Sequence, residues 1–170
     1  SFRMERDGAS YRMVDDDQFT WQILATDCEF TPDGALLVSD WVNGWNQPMK
    51  GRLYRYESND PRARAAGLAT AAILARDARA ESDLRLVEQL EHADRRVRQR
   101  AHIELAKRAP ATTPLLSRLA LENPSSTLRR HALWALGIQA RRHGVDLSAL
   151  LPCLDDPSSR HPVHGCIGQI

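Results

Sequence analysis

Three groups of residues have the types and spacing for chemistry. Asp27, Asp33, Asp40, Asn43 and Asn46 place carboxylate and amide oxygens in one short stretch, the donor type that calcium takes. Each also has a plain structural reading: Asp33 in a turn, Asp27 opening a strand, Asp40 a buried acid. Trp41 and Trp45 lie in the same stretch, where loop aromatics either line a binding rim or pack between neighbouring layers. A second group, His161-x-x-His164-x-Cys166, brings three metal-capable side chains together. It lacks a fourth ligand and is interrupted by Pro162 and Gly165, so it does not read as a closed zinc site. The third group is arginine: Arg95, Arg96, Arg98 and Arg100, then Arg129-Arg130 and Arg141-Arg142. Clustered guanidinium groups attract phosphate, but Glu88, Glu91, Asp94 and Glu104 are interleaved with them. That pattern gives ion pairs on helix surfaces, and with a sequence pI near 7.8 it argues against a nucleic-acid partner.

The sequence contains no phosphate loop, dinucleotide fingerprint or nucleophile elbow. It has no C-x-x-C-H for covalent haem. No catalytic residue, cofactor site or metal site is assigned in this chain. No segment approaches the roughly 20 apolar residues of a membrane span. Cys28, Cys153 and Cys166 are too few and too scattered for a disulfide framework.

The elements that carry these residues are of two kinds. Nine of the ten aromatic residues precede position 57, with Trp134 the exception. Residues 1–60 have 6 Lys+Arg against 11 Asp+Glu, whereas residues 61–170 have 17 against 11. An acidic aromatic part and a basic part rich in Ala and Leu follow one another, so two architectures are expected within 170 residues. In the first part, Cys28–Phe30 runs into Thr31-Pro32-Asp33-Gly34 and then Ala35–Ser39, a hairpin signal in which Pro32 presets one dihedral and Gly34 accepts positive φ. Arg52–Tyr56 is a further strand candidate by β propensity.

The series Phe30-Thr31-Pro32-Asp33-Gly34-Ala35-Leu36-Leu37-Val38-Ser39-Asp40-Trp41, followed by Gly44-Trp45 and Lys50-Gly51-Arg52-Leu53-Tyr54-Arg55, resembles the last propeller blade of the PVC-type (planctomycete) membrane-bound dehydrogenase family, which is related to glucose/sorbosone dehydrogenases. The resemblance implies that residues 1–58 are a terminal β-propeller blade fragment. It also implies helical HEAT-like repeats after the blade, a longer parent with quinone, calcium or haem, and a periplasmic or exported location for that parent. The chain opens at Ser1 without an initiator Met and is read as a piece of such a protein.

From Asp60-Pro61 the composition is helical, with Pro61 suited to a first turn behind an Asp cap. Leu86-Val87-Glu88-Gln89-Leu90 followed by Asp94, Val97, Arg98, Ala101 and Leu105 returns as Leu115–Leu119 followed by Asn123, Leu128, Arg129, Ala132 and Leu136. The offset is 29 to 31 residues, the period of a helix-pair solenoid. Residues 61–157 are therefore expected to be HEAT-like repeats, and 158–170 an irregular tail in which a third copy breaks down. Asp94, Arg98 and Arg129 are expected to form a repeat ladder, each Arg reaching an acidic or carbonyl partner in the adjacent repeat. The fold class expected is mixed: a short antiparallel β segment followed by an α-helical solenoid.

Such a chain is expected to act as a protein-interaction scaffold, meeting a protein partner or the adjacent domains of its parent. Two alternatives stand beside this. In one, Asp40, Trp41 and Trp45 contribute to the rim of a quinone-dependent sugar or alcohol dehydrogenase site. In the other, the helices form a free-standing HEAT-repeat adaptor.

Overall fold

The computed structural model describes residues 1–7, 10–42 and 49–155. The chain divides into two compact units, Ser1–Ala75 and Arg76 onward.

In the first unit, β1 (Arg3–Asp7) and β2 (Ser10–Val14) form an antiparallel pair running from Arg3↔Val14 to Asp7↔Ser10. A separate sheet is an antiparallel meander of β3 (Ala25–Phe30), β4 (Leu36–Asp40) and β5 (Arg52–Tyr56), in that order. The turn between β3 and β4 is built as its residues require. Gly34 sits at φ 84, its N–H donates to the Thr31 carbonyl at 3.0 Å, and the Thr31 N–H donates to the Ala35 carbonyl at 2.8 Å. Asp33 accepts hydrogen bonds from the Thr31 hydroxyl and, at 2.6 Å, from Arg55 of β5. Those two contacts, Thr31 first, hold its carboxyl down at about 2.

The central strand β4 carries this unit's core, burying Val38 and Asp40, with Ala35 just before it and Val42 just after it also buried. β3 is exposed along its whole length. Helix α1 (Pro61–Leu74) starts where the sequence places it, with the Asp60 carboxylate accepting from the Arg62 N–H at 2.9 Å and proline in the first turn. α1 meets the β3–β4 turn at Gly67, where a Cβ would stand 2.0 Å from the Asp33 carbonyl oxygen.

The second unit is built of helix pairs: α2 (Asp83–Gln89) with α3 (Arg95–Lys107), then α4 (Thr113–Glu122) with α5 (Ser126–His143). α2 packs on α3, α4 packs on α5, and α3 and α5 lie side by side. The apolar residues recur at three- and four-residue steps, which gives each helix one buried stripe. Leu86 and Leu90, Ala101 and Leu105, Leu116 and Ala120, and Leu128, Ala132 and Leu136 meet in one core, which Leu150 of the following 3₁₀ segment Ser148–Asp155 joins.

A buried polar cluster ties the second pair to the first. Gln139 on α5 is fully enclosed; its amide donates to the Thr112 hydroxyl at 2.9 Å and the Leu105 carbonyl at 3.3 Å, and accepts from the Thr113 hydroxyl at 2.8 Å. These contacts satisfy an amide that would otherwise be costly to bury. α5 ends at Gly144, left-handed at φ 67, behind Arg141, Arg142 and His143, the basic last turn that the helix dipole favours. Among the described residues no helix is long and apolar enough to cross a membrane.

The structure sharpens the register of the repeat. The loops entering α3 and α5 are superposable in role, residue by residue, at an offset of 31. The Asp94 N–H donates to His92 Nδ1 at 3.0 Å, and the Ser125 N–H donates to Asn123 Oδ1 at 2.9 Å. Asp94 and Ser125 are the helix caps. Pairing by residue type had matched Asp94 with Asn123, but the helix start matches it with Ser125. His92 does in the first loop what an Asn does in the second, because either side chain can accept from the amide two residues on.

Candidate functional site: a basic cleft between two repeats

A cleft of about 750 Å³ opens where α3 and α5 lie side by side. α3 contributes Arg95, Arg98, Gln99 and His102; α5 contributes Thr127, Arg130, His131 and Trp134. Both sets follow the spacing i, i+3, i+4, i+7, so each is one face of its helix. The loop before α3 adds Glu91 and His92.

Arg98 organises this wall. Its Nη1 donates to the carbonyls of His92 at 2.6 Å and Ala93 at 2.7 Å, and its Nε donates to His131 Nε2 at 3.1 Å. A guanidinium can only donate, so Nε2 of His131 must accept. In the neutral ring the proton of His131 then lies on Nδ1, which faces His102 Nδ1 at 3.0 Å and donates to it. His102 is left with its proton on Nε2. Burial, then the neighbouring His102, Arg98 and Arg130, push the pKa of His131 down to about 4. Burial also lowers that of His102. Both rings are therefore neutral near pH 7. Trp134 stands edge-on to His131 with ring centres 4.8 Å apart, yet it remains 56% exposed.

The arginines of this unit sort by role. Arg96 pairs with Asp94, Arg100 with the half-buried Glu81, and Arg108 with Asp83 and Glu104, at 2.6 to 3.3 Å. Arg95, Arg98 and Arg130, which line the cleft, make no salt bridge with a described carboxylate. Glu91 is the one carboxylate on the cleft's lining. The arrangement offers fixed cationic donors beside an exposed indole, which suits recognition. It holds no nucleophile paired with a base.

The residues singled out in the sequence are placed as follows. Asp40 is buried, and its Oδ1 accepts from the Leu24 N–H at 2.9 Å and the Val42 N–H at 3.1 Å. Trp41 is 42% exposed, with its backbone N–H donating to the Leu24 carbonyl at 3.0 Å. Trp45, Asn43 and Asn46, and the His161, His164 and Cys166 group, lie outside the described residues. Asp27 accepts from the Cys28 N–H and Asp33 from Arg55. Among the described residues no three His, Cys, Asp or Glu side chains gather as a metal site.

Asp94 caps α3 and pairs with Arg96. Arg98 and Arg129 do contact carbonyls, but those of the loop before their own helix: Arg129 Nη1 donates to Asn123 at 2.6 Å and Pro124 at 3.1 Å. The Arg98 Nε contact to His131 crosses to the next repeat. Arg98 and Arg129 thus each clamp the loop of their own repeat. No motif in the sequence marks His102, His131 or Trp134. Aligning the i, i+3, i+4, i+7 sets of the two helices is the signal that brings them together.

Residues 83–161 match the family model for HEAT repeats. No curated protein and no solved structure matches the chain. The match falls on the helix pairs and covers the loops that carry the Arg98 and Arg129 clamps, so the helical part is HEAT-like. HEAT repeats are generally protein-interaction scaffolds, their stacked units presenting an extended surface.

Proposed function

We propose that this chain is a protein-interaction scaffold and that the cleft between α3 and α5 is where its partner docks. The observation that carries this reading is a basic lining with no carboxylate partner among the described residues, beside an exposed tryptophan, in a unit where Arg96, Arg100 and Arg108 are matched to acids. Exposed aromatic and Arg side chains are the residue types that dominate contact energy at interfaces. The test is a photo-cross-linking residue at Trp134 of the full chain, compared with one at Leu84, which is exposed on α2 outside the cleft. Position 134 is expected to give a discrete adduct with a partner and position 84 none. Adducts of equal yield from both positions, or from neither, would sink the reading.

The β part fits a terminal propeller blade in a longer protein resembling the PVC-type membrane-bound dehydrogenases. Support comes from the three-stranded antiparallel meander and from Phe30 and Leu53, exposed on its two edge strands, where further strands would add. In that reading the quinone, calcium or haem belongs to the longer protein. Asp40 is engaged by backbone amides, and Trp41, 42% exposed beside it, is the described rim residue that would meet a sugar or alcohol. Dye-linked oxidation by the full-length protein, lost on Trp41→Ala without loss of folding, is the expected result, and full activity in that variant excludes the residue.

A further inference from the structure

We infer that the partner segment taken by the α3–α5 cleft is carboxylate-rich: an acidic stretch of another protein whose Asp or Glu side chains pair with Arg95 and Arg130. This inference rests on the scaffold reading and names the chemistry of its partner. Arg95 and Arg130 are both exposed at the cleft, and neither has a carboxylate partner among the described residues. Arg130 is held by the Ser126 carbonyl at 3.2 Å and by the Thr127 hydroxyl at 3.4 Å. Those contacts orient its guanidinium without neutralising it. Arg98 is fixed behind them by two carbonyls and a histidine.

Three cationic groups against the single carboxylate of Glu91 give the cleft a local excess of positive charge. A guanidinium fork binds carboxylate with two parallel hydrogen bonds. The indole of Trp134 supplies an aromatic surface for the aliphatic stems between the charges. A nucleic acid is the poorer fit. It presents charge continuously along its length, whereas Arg79, Arg85, Arg96, Arg100, Lys107 and Arg108 beyond the cleft are matched to Asp77, Glu81, Asp83, Glu88, Asp94 and Glu104. A short run of localised carboxylates matches a short basic cleft.

The experiment selects random linear peptides displayed on phage against the immobilised full chain, then measures synthetic winners by fluorescence anisotropy. The expected winners are rich in Asp and Glu. Their affinity should fall about tenfold or more in the Arg95→Gln/Arg130→Gln variant, since losing a charge-assisted pair is worth a factor of that order. The melting temperature should be unchanged, and Arg130→Glu should turn the preference toward Lys-rich peptides.

Neutral or basic winners overturn the inference, as do acidic winners indifferent to both arginines, an empty selection, or displacement of the peptides by single-stranded oligonucleotide at lower concentration. Neutral winners that are lost on Trp134→Ala would overturn the acidic assignment while leaving the docking site itself in place, so the two failures are separable.

Discussion

His131 Nδ1 lies 3.0 Å from His102 Nδ1, and the direction of that hydrogen bond is set from outside the pair, by Arg98. The guanidinium on one side of His131 requires an acceptor, so the proton moves to the other side and faces His102. A residue that clamps the loop of its own repeat thereby fixes the tautomers of two buried rings at the boundary with the next.

This arrangement has a pH signature. His131 has its pKa lowered from 6.5 to about 4 by burial and by its cationic neighbours. The unfolded chain therefore binds the proton more readily than the folded one. The associated stability is present above pH 6.5 and is lost as the pH falls through about 4. The loss should be on the order of 2–3 kcal/mol. Thermal melts between pH 7 and 4 should show a steeper decline for the native sequence than for His131→Gln, and parallel curves for the two would contradict it.

Arg98→Ala should destabilise the helical unit by about 2–3 kcal/mol, because the His92 and Ala93 carbonyls lose their donor. Arg98→Lys should recover only part, since an ammonium cannot place donors on the loop and on His131 together. Arg129→Ala, at the equivalent position, should behave similarly. Urea unfolding followed by helical circular dichroism measures all three, and an Arg98→Ala midpoint equal to that of the native chain would rule out the clamp.

How far the sequence foretold these features depended on how local their causes are. The Pro32–Gly34 turn, with Gly34 at φ 84, and the Asp60-Pro61 helix start were legible because one or two residues decide them. The recurrence of Arg98 and Arg129 was legible as a period. The loop carbonyls that those arginines hold were not, because a long side chain can turn back on its own loop as readily as it crosses to a neighbour. The cleft was hidden for a different reason. His102 and Trp134 become neighbours only once α3 and α5 pack side by side at a particular register, and the offset of 29 to 31 residues left that register open. Asp40 has two readings in the sequence, a ligand and a buried acid, and residue type alone does not choose between them; it is buried with two amide donors at the strand's end.

Gly67→Ala gives a test of sign. Alanine is the better helix former by about 1 kcal/mol, so propensity alone makes the change stabilising. At Gly67, however, the new methyl would stand 2.0 Å from the Asp33 carbonyl oxygen, and backbone cannot yield as a side-chain tip can. A net loss of about 1–3 kcal/mol is expected, read from thermal unfolding of the full chain. A more stable variant would show that α1 and the β3–β4 turn do not meet in this way.

Asp40→Ala should cost about 2 kcal/mol, because the Leu24 and Val42 amides lose their acceptor and Val42 is held at φ 29, an uncommon conformation for a β-branched residue. Asp40→Asn keeps an acceptor oxygen at the same place and should stay within about 1 kcal/mol of the native chain. Chemical denaturation followed by tryptophan fluorescence reports this. Equal losses from the two variants would assign the role to the charge, with its 3.9 Å approach to Arg52, and not to the amide contacts.

In the docking reading, one partner segment occupies the cleft and touches both of its walls. It is tested most directly by placing a photo-cross-linking residue first at Gln99 on α3 and then at Trp134 on α5, and mapping the adducts by mass spectrometry. Both positions are expected to capture the same stretch of the same partner. Capture of unrelated partners from the two walls, or capture from neither, would contradict it.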